Sequence, residues 1–482
     1  MKFTLYPARP VHQPSVWGQW FDRAVNALVV IALGVILGSQ YLEPNKRLLS
    51  VAAAVIVIGI AWRLDMVSGI GVMILALPYP RGTVFGSTNI ALILLLVIIY
   101  LLRMSQREVA PPRPTPADAP IAAFFLTYVV SFYNVENQHD LYFALQNFQL
   151  LAGTLIMFYL IVNSVQTEAD VKRMHFFHTL SIVGLMLISV WELNHPGATL
   201  VPGWINFENT HGDEFNRHGV RVGATFYDFE LLADFCGLSL LFLGFRLAQQ
   251  KEFYGRVIHV AIMVLVLFIL FATVTRGPVV SLSVALVYLT FLMRRHLRVV
   301  PMTIALGGGA ALLFGMNFFV STFTRSGNLF ERVAGTEMVG WMPETRVGTW
   351  TEAWQRMMYH PIIGWGPYYS SQRGLDYWYW PHNLYLYVGN LTGLVGLSFF
   401  LWMFWTYWRI TRPRVDTPAS DNYLDSYLFI AHVQMAFFAV DQFKIEYLRN
   451  NTYQYQVWLM FAMWVSAYRV RRDQLREQGI KI

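Results

Sequence analysis

The stretch "RVIHVAIMVLVLFILFATVTRGPVVSLSVALVYLTFLMRRHLR", residues 256–298, holds two apolar runs joined by the three residues "TRG". Each run has about the length that carries a helix across the hydrocarbon of a bilayer. Basic residues close both far ends, Arg256 on one side and Arg294, Arg295 and Arg298 on the other. The reading is a pair of antiparallel membrane-spanning helices with a tight turn at one face and basic ends at the other.

The same pattern runs outward in both directions. Of the 482 residues, 55% are hydrophobic and only 13% charged, too apolar for a soluble globular chain of this length. Spans are expected near 24–41, 48–61, 66–77, 88–102, 119–133, 142–163, 175–193, 224–245, 257–274, 278–293, 299–320, 383–408, 422–440 and 455–469. The expected fold is therefore all-α, a polytopic integral membrane protein of about 12 to 14 transmembrane helices forming a single domain over the whole chain. Cys236 is the only cysteine and lies in a span, so an intramolecular disulfide and a sulfur-built metal site are excluded. The polar, aromatic N-terminus lacks a cleavable signal pattern, so the first span is expected to be retained. The net charge of +7 fits basic loops better than nucleic acid, and no nucleic-acid partner is expected.

Loop charge sets the expected orientation, because loops rich in lysine and arginine stay cytoplasmic. "RMSQREVAPPRP" (103–114), "QTEADVKR" (166–173), "RLAQQKEFYGR" (246–256), "RRHLR" (294–298), "RITRPR" (409–414) and the tail "RVRRDQLREQ" form one set. They and both termini are expected on the cytoplasmic side. "NVENQHD" (134–140), the loop 194–223, the turn 275–277 and the long loop 321–382 form the outer set, periplasmic in a Gram-negative cell. Within the long loop, Thr345 to Tyr359 reads as an amphipathic helix lying on the bilayer surface. Trp350, Trp354, Met357 and Met358 form its apolar face, Glu352, Gln355 and Arg356 its polar one, with Thr345 as N-cap and Pro361 as the stop.

Arginines on the outer side run against the charge rule and need something to hold them there. Arg221 opens the span near 224, and its planar fork suits a carboxylate or phosphate; the plainer reading is an ion pair with Asp228, Glu230 or Asp234. Arg276 stands where "TRGP" turns into the next helix, and free amides there could join it in holding an anion, or it could anchor to headgroups. Arg346 is expected in the first turn of the surface helix, where the dipole disfavours a cation by up to about 1 kcal/mol unless an anion is shared. His382 in "YWYWPHNLYLY" can exchange a proton near neutrality, and Asn383 beside it can hold a hydroxyl. Tyr379 and Trp380 offer flat faces for sugar rings, as an interfacial aromatic belt also would. Asp228 and Glu230 could orient Arg221 or act as base. His432 and Gln434, inside a span, read as bonds between helices. Walker, HExxH, GxSxG and zinc-type spacings do not occur, so neither ATP nor metal hydrolysis has support, and no cofactor or metal is expected.

Four of these stretches resemble the O-antigen ligase and O-antigen polymerase superfamily of bacterial inner membranes. They are "RVGATF" (221–226), "TRG" (275–277), "RVGTWTEAWQRMMYHPIIGWGPYY" (346–369) and "HNLYLYVGNLTGLVGL" (382–397), and the resemblance extends over about residues 200–410. One departure follows "GATF", where the family tends to carry Asn-Pro-Asn and this chain reads "YDFELLAD". The resemblance implies a metal-independent glycosyltransferase of the inner membrane. Its donor would be a glycan on undecaprenyl pyrophosphate and its acceptor a sugar hydroxyl, on lipid A core for a ligase or on another lipid-linked repeat for a polymerase. It also implies that Arg221, Arg276 and Arg346 hold the diphosphate and that His382 is the general base. The alternative from another class is a transporter or flippase for a lipid-linked anionic glycan, which should show charged groups at mid-membrane and broken helices in internal repeats.

Overall fold

The computed structural model describes residues 16–38, 46–83, 86–201, 204–207, 220–294, 313–324, 326–335, 338–339, 342–369, 380–413 and 422–480. In chain order its α-helices are α1 (Val16–Gly38), α2 (Lys46–Arg63), α3 (Met66–Ala76), α4 (Thr88–Ser105), α5 (Asp118–Val130), α6 (Gln138–Ser164), α7 (Glu168–Asn194), α8 (Phe229–Ala248), α9 (Phe253–Ala272) and α10 (Arg276–Met293). They continue with α11 (Leu313–Phe323), α12 (Leu329–Ala334), α13 (Glu344–Tyr359), α14 (Leu384–Thr411), α15 (Tyr423–Asp441) and α16 (Asn451–Glu477). Strands among the described residues form short two-stranded hairpins such as Gly82–Thr83 with Gly86–Ser87.

The protein is an all-α polytopic membrane protein. Among the described residues eight helices are long and apolar enough to cross a bilayer, namely α4, α6, α7, α8, α9, α10, α14 and α15. The expected spans fall on helices, but α3 with 11 residues and α5 with 13 rise only about 16–20 Å, short of a full crossing. The expected span 299–320 lies mostly outside the described residues; α11 is its described end. Helices begin where a side chain can cap the free amides: Thr167 and Asp170 form a reciprocal capping box on α7, and Asn137, Asn422 and Asn450 cap α6, α15 and α16. The interior is aromatic, with Tyr427, Phe437, Trp458 and Trp464 fully buried.

The connections sort into two sets that bond within themselves. At one end Arg103 donates to the carbonyls of Trp62 and Leu64, Arg173 pairs with Asp65, Arg469 donates to Val162 O, and Arg471 pairs with Asp425. At the other end Trp204 donates to Tyr79 O, Asn134 to Gly364 O, Asn147 to Pro367 O and Asn450 to Phe226 O. The first set carries the basic loops, and the second gathers the segments expected together on the outer face.

Two features depart from the expected pattern. Helix α13 begins at Glu344, one residue before the expected cap, and its faces are assigned differently. Ala353, Met357 and Arg356 are buried, while Trp354 and Met358 point outward. Arg356, expected among the solvated residues, stacks its guanidinium over Tyr369 at 4.6 Å. The second feature is a break in α14 at Gly393, which adopts φ 67° and ψ −172°. The segment after α13 fills that break: Trp365 N donates to Asn390 O, Gly366 N to Leu391 O, and Leu394 N to Pro361 O. Backbone groups freed inside the bundle are thereby satisfied by another backbone, as an apolar surrounding requires.

Candidate active site

The site is built where the second set of loops meets the first turn of α8. The chain approaches through residues 220–228, and Val222 N donates to Ala272 O of the α9–α10 turn. The buried Glu192 carboxylate accepts from Gly223 N at 3.2 Å and Ala224 N at 2.7 Å, holding the approach to α7. Asp228 caps α8, its Oδ1 accepting from Glu230 N and Leu231 N. Of the five non-glycine residues with positive φ among the described ones, four lie around this point: Ala224, Tyr227, Val274 and His382. Such conformations persist only where their surroundings enforce them, and a β-branched valine is a true outlier there.

Glu230 is the hub. Its Oε1 lies 3.3 Å from Arg346 Nη2 and its Oε2 lies 3.2 Å from both His382 Nδ1 and Arg449 Nη2. Arg449 also pairs with Asp228 through Nη2 and with Glu446 through Nη1, the latter at 3.2 Å, while Nη1 stands 3.2 Å from His382 Nδ1. Burial works against the charge on Arg449, but the carboxylates of Asp228, Glu446 and Glu230 more than offset it and hold its pKa above the ordinary arginine range. Burial raises the Glu446 carboxyl above its usual range, with Arg449 and His382 pulling the other way.

The structure brings Asp228, Glu230, Arg346 and His382 together. Arg221, also buried, holds a turn: its Nε donates to Thr273 O at 3.0 Å, Nη2 donates to Thr275 Oγ1, and the guanidinium lies over the Phe229 ring. It clamps the α9–α10 turn to the start of α8. Arg276 opens α10 on that same turn, where Thr275 donates to Phe229 O. Asn383 caps α14, its Oδ1 accepting from Tyr385 N and Leu386 N. Trp380 stacks on Tyr369 at 5.9 Å, and Tyr369 stacks in turn on Tyr387. Tyr379 lies outside the described residues.

A cavity of about 680 Å³ borders this cluster. Asp228, Arg449 and Trp380 form its shared wall, and Gln146, Gln149, Asn450, Asn451 and Tyr227 contribute neutral hydrogen-bonding groups. Arg276, Arg346 and Lys444 are not among its lining residues.

Sequence reading missed the segment "KIEYLRN", 444–450, between α15 and α16. Besides Arg449 and Glu446 it supplies Lys444, whose Nζ donates to Gly277 O at 3.2 Å. Burial lowers the Lys444 ammonium, Asp441 opposes that, and nearby Arg276 adds to it. The signal was present: Lys444 and Arg449 break the charge rule on the side expected to face outward, just as Arg276 and Arg346 do.

Fold and site together define an all-α polytopic membrane protein whose ionic cluster sits at the end opposite its basic loops. Residues 261–401 match the family model for O-antigen ligase, so this stretch, from α9 into α14, is related to that family and carries Arg276, Arg346 and His382. The match supports glycan transfer of the O-antigen ligase or polymerase kind as the general activity. No curated protein matches the chain.

Proposed function

We propose that the protein transfers a glycan from undecaprenyl pyrophosphate to a sugar hydroxyl, at the periplasmic face of a bacterial inner membrane, in surface polysaccharide ligation or polymerisation. The observation that carries this reading is the 3.2 Å approach of His382 Nδ1 to Glu230 Oε2, flanked by two guanidinium groups. Arg449 Nη1 has the Glu446 carboxylate as acceptor at 3.2 Å, a stronger partner than a neutral imidazole. Nδ1 therefore keeps its proton and donates to Glu230, and Nε2 presents its lone pair to substrate. This is the arrangement of a general base oriented by a carboxylate.

In the proposed step the acceptor oxygen attacks the anomeric carbon while the bond from that carbon to the diphosphate oxygen breaks. The bonding pair leaves with the diphosphate, and His382 takes the hydroxyl proton. Charge grows on the leaving group in the transition state, so cations already in position stabilise it more than they stabilise the ground state. Arg346 and Arg276 take that role, with Lys444 beside Arg276; Arg221 holds the turn that carries Arg276. The cavity next to Asp228 and Trp380 is lined by aromatic and amide groups together with Arg81, Arg449 and Asp228, a mixture that suits the sugar rings of the glycan beside its charged carrier. The break in α14 is a feature that the transport alternative also predicts, but here backbone from 361–366 fills it instead of leaving a path.

The test uses the purified protein in nanodiscs with a lipid-linked glycan donor and a sugar acceptor. Glycosylated acceptor and free polyprenyl diphosphate, released together, are the expected products. Movement of intact donor across a sealed vesicle, with no cleavage against any acceptor supplied, would establish transport instead.

A further inference from the structure

At the opposite end of the bundle, α14, α15 and α16 enclose a second cavity, of about 190 Å³. Four arginines line it, Arg409, Arg412, Arg471 and Arg472, against one carboxylate, Asp425. Arg471 satisfies that carboxylate with both ends of its fork, Nε to Oδ1 at 2.8 Å and Nη2 to Oδ2 at 2.6 Å. The other three have no hydrogen-bonded carboxylate among the described residues. Arg409 and Arg412, both exposed at the mouth of the cavity, have no carboxylate partner among the described residues. The buried Nε of Arg472 has no hydrogen-bond partner there, and its ionic neighbour is Asp473 at 3.9 Å.

Converging guanidinium groups repel one another unless an anion lies between them, and a buried donor with no acceptor is costly. The cavity is smaller than the roughly 300–1,000 Å³ of sites for drug-sized ligands, so its occupant is a small charged group. Buried, apolar Ile410, Leu428 and Phe429 line the same space. Basic pockets between spans at the level of the headgroups are suited to anionic lipid.

We propose that this cavity binds a phosphate oxyanion, supplied by the headgroup of an anionic phospholipid, and thereby fastens the basic ends of α14, α15 and α16 together. Those helices carry Asn383, Asp441 and Asn450 at their far ends, so the occupant braces the helices that frame the ionic cluster. The proposal does not depend on the transfer reaction.

The test is thermal melting of the full-length protein, delipidated in mild detergent, with added phosphatidylglycerol, phosphatidylcholine or inorganic phosphate. Phosphatidylglycerol is expected to raise the melting temperature saturably, phosphatidylcholine to leave it unchanged, and the double variant Arg409→Gln, Arg412→Gln to lose the rise. If inorganic phosphate reaches the same plateau in the wild type only, the site stands and its ligand is the free anion. An equal rise with phosphatidylglycerol in wild type and variant overturns the proposal. Should the variant fail to accumulate, native mass spectrometry of the washed wild type decides: one retained anionic phospholipid per chain supports the site, and none retained with no melting shift overturns it.

Discussion

At the scale of single residues the cluster around Glu230 makes separable demands. His382→Ala should lower the transfer rate by about 100- to 10,000-fold, the usual contribution of a general base, while donor binding by the purified protein is kept. Transfer at the wild-type rate would move the role to Asp228 or Glu230. Arg449 tests stability instead. Its side chain is 9% exposed and faces three carboxylates. Arg449→Met removes the counter-charge from Asp228 and Glu446, leaving Glu230 to Arg346, and should destabilise by about 3–5 kcal/mol, seen as a lower melting temperature in detergent. Adding Glu446→Gln to that variant should restore part of the loss, because one of the uncompensated charges is removed. His382, Arg346, Glu230 and Asp228 were legible as chemistry-bearing residues on one side of the membrane. Their pairing was not, because sequence gives no distances: Asp228 and Glu230, read as able to orient Arg221 or act as base, hold Arg449. Both acids belong to "YDFELLAD", the point where the chain departs from the family it resembles.

At the scale of elements the break in α14 is the most exacting feature. A methyl group on Gly393 would stand 2.2 Å from Ile362 O, and one on Gly364 would stand 2.4 Å from Leu391 C, both at positive φ. Backbone cannot yield as a flexible side chain does, so Gly393→Ala should cut folded yield and melting temperature far more than an alanine at Gly244, where nothing lies within 4 Å. The break was invisible in "HNLYLYVGNLTGLVGL" because its apolar run continues through the glycine and helical periodicity does not record a change in φ. Helix α13 shows the same limit. Its extent was readable from the spacing of Trp350, Trp354, Met357 and Met358, but a neighbour decides which side is buried, and Tyr369 with Trp365 draws Arg356 inward.

For the whole molecule, the two families of connections follow from charge and span length, which is why the all-α membrane fold could be read directly. Orientation is open to a clean measurement, since the only thiol, Cys236, is fully buried. Cysteines introduced singly at the exposed positions Gln138 and Glu108 should behave oppositely in intact cells stripped of their outer membrane. Gln138→Cys should react with an impermeant thiol reagent at once, and Glu108→Cys only after the membrane is opened. Reversed labelling would put the ionic cluster on the cytoplasmic side. Part of the difference from the expected total comes from α3 and α5, which end before a crossing is complete, and part from 299–320, which lies mostly outside the described residues.

The hub at Glu230 straddles the border of the segment that matches the O-antigen ligase model. His382 and Arg346 come from inside residues 261–401, whereas Glu230, Asp228 and Arg449 come from outside it. A chimaera that imports only that central segment from a relative would unite an imidazole with foreign acids, and co-transplanting residues 221–234 and 441–451 should be what rescues it.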